Sequence, residues 1–190
     1  MSDSRIVSAY HGCDAETAKS LLAGAPFKPS ANDFDWLGHG IYFWEEGPDR
    51  ALRFAKEQQR RNKVANPTII GVRLRLGLCF DLMDTRFTED LAAAYEPFER
   101  YIHRQGLTMP KSGGPPPDHK LRHLDCAVLN WYLGGIAQRG PAYDTVRCGF
   151  SEGERVYPGS GIFRETHIQI AVRSAACILD VFQPSVLAGE

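Results

Sequence analysis

Apolar positions alternate with arginine and glycine over residues 68–82, where Ile70, Val72, Leu74 and Leu76 are separated by Gly71, Arg73 and Arg75. That period of two predicts a strand, or a bent strand pair, with one buried face. Elsewhere the period changes. Ala51, Leu52, Phe54 and Ala55 recur at helical spacing after Pro48 and predict a helix over 49–63. Leu91, Tyr95, Phe98 and Ile102 mark one side of a helix over 87–105, and 121–138 is apolar enough to read as a buried helix. Asp14 stands where an N-cap belongs, so a helix is expected over 15–22, closed by Gly24. Short β-rich runs predict strands at 5–12, 41–44, 143–148, 162–172 and 178–182. Loops are expected over 26–38, 108–119 and 150–161; the second contains Lys-Ser-Gly-Gly-Pro-Pro-Pro and holds no regular element. No fixed-period repeat is present. Strands and helices mix with few βαβ alternations, which predicts an α+β fold in one domain over 1–190.

Composition narrows the function. Lys+Arg 22 against Asp+Glu 23 gives a net charge of −1, which excludes a generally basic, polyanion-coating chain but not a local basic groove. No apolar run approaches transmembrane length, and the N-terminus lacks the long apolar core of a signal peptide. The five cysteines are scattered, odd in number and form no C-x-x-C, so a reducing, cytoplasmic setting without membrane partners is expected. Walker A, G-x-S-x-G, H-E-x-x-H and dinucleotide G-x-G-x-x-G motifs are all missing. His119, His123 and Cys126 share one helix face at i, i+4 and i+7 but have no fourth ligand, so no metal is expected. Arg50, Arg53, Lys56, Arg60, Arg61 and Lys63 make a basic helix, either a solvated face or a surface that attracts phosphate.

Two segments carry chemistry. Tyr10-His11-Gly12 ends a strand; His11 projects a donor, and Gly12 lets a ligand approach the backbone. Gly38-His39-Gly40-Ile41-Tyr42-Phe43 is either a glycine-punctuated core strand or a backbone that runs close to a flat ligand. In order and spacing the pair resembles the diphtheria-toxin and poly(ADP-ribose) polymerase branch of the ADP-ribosyltransferases, whose signature is Tyr/Trp-His-Gly, a helix, a loop and Gly-x-Gly-Ile-Tyr-Phe. The resemblance implies two small packed β-sheets around an NAD cleft. It implies that His11 bonds the NAD ribose, that the Gly12 backbone pairs with the nicotinamide carboxamide, and that Gly40 and Tyr42 approach and stack on the nicotinamide ring. A second aromatic of the family corresponds to Phe54, with one residue of slack; a core-facing helix residue is the other reading of that position.

The family's third element is a glutamate on a late strand. Period-two geometry puts Glu165, His167, Gln169 and Ala171 on one face, opposite Ile168, Ile170 and Val172. The alignment places Gln169 at the glutamate position. Glu165 lies four residues earlier, about 13 Å along an extended strand, and Glu152 and Glu154 are further candidate charge donors. The loop carrying Glu152, Glu154 and Tyr157 matches the family's acceptor-meeting loop, or is a plain solvated loop. Residues 84–140 lie outside the resemblance and read as a helical insertion capping one side of the core.

The resemblance thus implies a mono-ADP-ribosyltransferase that moves ADP-ribose from NAD to a macromolecular acceptor. In that class it suits a bacterial toxin or phage-defence effector with an antitoxin or regulatory partner. Two alternatives remain open: a catalytically silent NAD or ADP-ribose binding module, and an interaction protein keeping only the fold, with the Pro-rich loop 110–117 as its contact.

Overall fold

A computed structural model describes residues 3–114 and 120–185. The elements run β1 (Asp3–Asp14), α1 (Ala15–Leu22), β2 (Ile41–Glu45), α2 (Pro48–Arg60), β3 (Pro67–Gly77), β4 (Cys79–Asp81), α3 (Thr85–Arg104), α4 (His123–Ala137), β5 (Thr145–Phe150), β6 (His167–Val172) and β7 (Ile178–Phe182). The class is α+β. All seven strands join one sheet in the order β4-β5-β6-β2-β1-β3-β7.

The resemblance implies two packed sheets, and the structure differs in an instructive way. The β1–β2 joint consists of two register pairs, Ala9↔Glu45 and Tyr10↔Trp44. This joint ties a β4-β5-β6-β2 half to a β1-β3-β7 half. The sheet then bends so that its inner face packs on itself: Val72, Leu74 and Leu76 of β3 share one core cluster with Ile41 and Phe43 of β2 and Ile170 and Val172 of β6. Two layers therefore exist as halves of one hydrogen-bonded sheet. The turn that sends the chain from β3 to the opposite edge needs Gly77, whose φ of 66° suits glycine.

Local chemistry explains the elements. Asp14 caps α1 by accepting from Glu16 N, and its other oxygen takes Ala65 N and Asn66 N, tying the end of β1 to the start of β3. The alternation in β3 buries Ile70, Val72, Leu74 and Leu76 and leaves Arg73 and Arg75 exposed. Loop 150–161 extends further than its composition suggests, because β6 begins only at His167. Residues 164–165 form a turn after Phe163 bridges Arg155, and Thr166 N bonds to Phe163 O.

On the outer face, α2 covers Tyr10, Trp44 and Ile69, while α4 and the start of α3 cover Phe80, Val146 and Ala171. The insertion over 84–140 thus caps the β4-β5-β6 half. No described helix is long and apolar enough to cross a membrane.

Gly12 is where α2 meets the sheet. A Cβ there would lie 2.1 Å from the Ala51 carbonyl oxygen, so α2 can approach only because the side chain is missing. Gly12→Ala is expected to lower unfolding stability by about 2–3 kcal/mol, the upper part of the overpacking range, read from urea midpoints. An unchanged midpoint would show that α2 yields at no cost.

Candidate functional site

The site begins where β1 and β2 part. Beyond Tyr10↔Trp44, β1 stays paired with β3 through His11↔Ile70 and Gly12↔Ile69, while β2 stays paired with β6 through Phe43↔Ile170 and Tyr42↔Ala171. Main-chain groups alternate sides along an extended strand. Ser8 O accepts from Glu46 N, so Ser8, Tyr10 and Gly12 turn their N–H and C=O toward β2; Ala15 N, one parity away, bonds Asn66 O on the β3 side. Gly12 therefore offers one donor and one acceptor to the gap.

The His11 imidazole bridges that gap, with Nδ1 2.9 Å from Tyr42 O. A nitrogen facing a carbonyl carries the proton, which leaves Nε2 as an acceptor. Burial pushes the His11 pKa down against a smaller opposing effect of the Tyr42 carbonyl, so the ring is neutral at pH 7. Phe27 and Phe43 surround it at centroid distances of 5.9 and 5.7 Å.

Tyr42 meets His11 through its carbonyl and not through its ring. The ring lies on the outer face, against the Leu37, Phe80 and Ala171 cluster. Its hydroxyl donates to Gly38 O at 2.6 Å and accepts from Leu37 N at 2.8 Å. Burial drives the phenol far above its ordinary pKa. Gly40 is tied to the preceding loop by paired bonds with Ser30. Phe54 packs on Trp44 with ring centroids 5.0 Å apart.

On the outer face the structure brings the late candidates together. Gln169 sits opposite Trp44, in the row that contains Tyr10 on the other side. His167 Nδ1 donates to Glu165 O, so its Nε2 accepts, and Gln169 must present its amide N–H there at 3.0 Å. Gln169 Oε1 remains for another donor. Glu165 precedes β6, and its carboxylate turns to Arg50 Nε at 3.5 Å. Glu152 is 2% exposed and is held by Arg50 Nη2 at 2.8 Å and Lys120 Nζ at 2.7 Å. Burial pushes its carboxyl up, but the two cations outweigh this and hold it below the usual glutamate range. Burial likewise lowers the His167 pKa. Glu154 and Tyr157 stay exposed on the loop.

Arg50, Lys120 and His167 are the site residues that sequence reasoning did not assign. Arg50 Nε and Nη1 are buried without a hydrogen-bond partner, and its guanidinium lies 5.6 Å from the Trp44 ring centroid. A cavity of about 230 Å³ opens beside it, between the β2–α2 turn with Asp49 and Arg53 and the segment 164–167. Small-molecule sites run to roughly 300–1,000 Å³, so this cavity is smaller than a typical whole-ligand pocket. Of the histidine–cysteine face, His119 lies outside the described residues. His123 Nδ1 is 3.5 Å from Asp33, and Cys126 Sγ donates to Asn32 O. Among the described residues no cluster able to hold a metal is found.

Comparison with known proteins adds little. A 63-residue stretch is 38% identical to an uncharacterized protein of Methanocaldococcus jannaschii, covering 32% of this chain and 29% of that protein. No family model matches the chain. No solved structure matches it.

Two outcomes follow from the buried charges. Glu152→Gln leaves Arg50 with Glu165 alone, 3.5 Å from its Nε, and is expected to cost about 3–5 kcal/mol of unfolding free energy, whereas Arg50→Met with Glu152→Leu should recover most of it. A double variant as unstable as the single one would contradict that account. The two neutral histidines set a pH dependence. Their folded pKa values lie below the unfolded value, so the unfolded chain binds protons first as pH falls. Stability is full above about pH 6.5 and is lost below it, at up to about 1.4 kcal/mol per pH unit for each ring. Urea midpoints at pH 7.5 and 5.5 measure this, and equal midpoints would contradict it.

Proposed function

We propose that the protein transfers ADP-ribose from NAD to a macromolecular acceptor and releases nicotinamide. The observation that carries this reading is the gap between β1 and β2, into which His11 and the Gly12 main chain both face. A primary carboxamide needs one acceptor and one donor, and Gly12 presents both on one edge. His11 Nε2, an acceptor on a neutral ring, suits a ribose hydroxyl. Gln169 Oε1 is the acceptor that would orient the reacting ribose from β6, as the resemblance implies.

The chemistry is a displacement at the ribose carbon. The bond from C1′ to the nicotinamide nitrogen breaks, and its electron pair leaves with neutral nicotinamide. The acceptor nucleophile bonds C1′ and gives its proton to solvent. Gln169 stabilises the developing positive charge less than a carboxylate does, because an amide carries a dipole and no net charge. That weakness fits transfer of one unit better than chain building.

One observation favours the second reading, a silent NAD or ADP-ribose binding module. Two of the candidate charge donors are already engaged: Glu152 with Arg50 and Lys120, and Glu165 with Arg50.

Release of nicotinamide from ring-labelled NAD, read beside calorimetric NAD titration, separates the two. Under the transferase reading His11→Ala weakens binding about tenfold, consistent with loss of one buried hydrogen bond. Gln169→Ala lowers turnover at least tenfold with affinity nearly unchanged, because its contact counts mostly in the transition state. Gln169→Glu keeps or raises turnover. Binding without release selects the silent module, and no binding at all overturns both readings.

A further inference from the structure

The net charge of −1 hides a concentrated surface beside the cavity. On α2, Arg53, Lys56 and Arg60 follow one another at i, i+3 and i+7, one exposed stripe of the helix, and Arg61 and Lys63 extend it past the helix end. Arg53 lines the cavity, so the stripe starts at its rim and runs outward for about 10 Å. The opposite rim is loop 151–166, where Arg164 also lines the cavity and Arg155 is exposed. Among the described residues none of these seven cations forms an ion pair with a carboxylate; Arg155 and Arg164 bond loop carbonyls, those of Ser160 and Val156, and Arg155 also lies over the Phe163 ring. The acidic residues on these elements and the turn before α2 are Glu46, Asp49, Glu57, Glu152, Glu154 and Glu165; Glu152 and Glu165 are paired with Arg50, so seven cations face four unpaired carboxylates.

The same loop exposes apolar surface that its own fold does not use. Tyr157 and Ile162 are each 62% exposed, and Tyr157 is a free ring among the cations. A row of unpaired cations with an open aromatic ring is the surface that grips a flexible polyanion and stacks its bases. A protein partner answering this surface would need a matching acidic face along the whole stripe.

We infer that α2 and loop 151–166 bind single-stranded nucleic acid and lead it to the cavity lined by His167, whose ring bonds Gln169, which makes nucleic acid the acceptor class of the proposed transfer. Phosphates follow Arg53, Lys56 and Arg60, Tyr157 stacks a base, and the nucleotide entering between Arg53 and Arg164 supplies the nucleophile. The inference rests on the transferase reading for the acceptor role, while the binding surface stands by itself. The bond that forms joins a base or sugar heteroatom to C1′, and the proton it loses goes to solvent as nicotinamide leaves.

The test is fluorescence anisotropy with labelled 15-nucleotide single strands of RNA and of DNA, across a salt series and in the absence of NAD. Binding should weaken linearly in log salt, with a slope of about −0.7 for each phosphate neutralised. Lys56→Glu with Arg60→Glu should weaken binding at least tenfold and flatten the slope by about 1.4, leaving nicotinamide release without oligonucleotide unchanged. Tyr157→Ala should weaken it about tenfold with no change in slope. A circular dichroism melt matching wild type shows that the variants fold. Absence of binding at 50 mM salt overturns the inference, as does equal binding by wild type and the charge-reversed variant. With adenine-labelled NAD, nicotinamide release with label transferred only to protein overturns it too and leaves the transferase reading standing. Oligonucleotide binding without nicotinamide release supports the surface and overturns the transferase reading.

Discussion

Two register pairs, Ala9↔Glu45 and Tyr10↔Trp44, hold the two halves of the sheet together, and the site exists because the pairing stops there. Had β1 and β2 paired to their ends, the Gly12 main chain would be spent on ladder bonds and the His11 ring would have no gap to enter. Side chains hold the strands apart. His11 occupies the gap through its bond to Tyr42 O, and Phe27 and Phe43 wedge beside it. The Tyr42 hydroxyl pins the incoming loop to the other face through Leu37 and Gly38. Each side of the split is thus anchored to a different half of the core.

A second constraint works across the outer face. Glu152 is a buried carboxylate on a loop, and a buried charge persists only where cations and donors meet it. Arg50 and Lys120 do so from α2 and from the chain just before α4, which draws three distant segments onto β6. His167 stands between Glu165 and Gln169 and fixes the amide's orientation by its own tautomer. The polar centre beside Gln169 is therefore built by long-range charge pairing, while the split is built by strand geometry.

This division explains what the sequence makes legible. Local rules locate α1 through its Asp14 cap, β3 through its alternation, and the two glycine-flanked motifs through their composition. Arg50 reads as part of a solvated basic face because its partner lies 102 residues away and leaves no local mark. Glu165 reads as part of a strand because period-two counting has no means of knowing that a turn occupies 164–165. The Tyr42 hydroxyl holds the loop through Leu37 and Gly38, a tie that composition does not announce. The close approach that Gly12 permits is made by α2. Bending one sheet into two layers also escapes local rules, because it depends on β3 and β6 sharing a core cluster.

The most direct test of the account is a crystal structure with nicotinamide bound. The account predicts the carboxamide on Gly12 N–H and C=O, with the ring in the gap beside His11 and the β1–β2 pairing still ending at Tyr10↔Trp44. Nicotinamide bound elsewhere, or a gap that stays closed by His11 and Phe27 at saturating ligand, would contradict it.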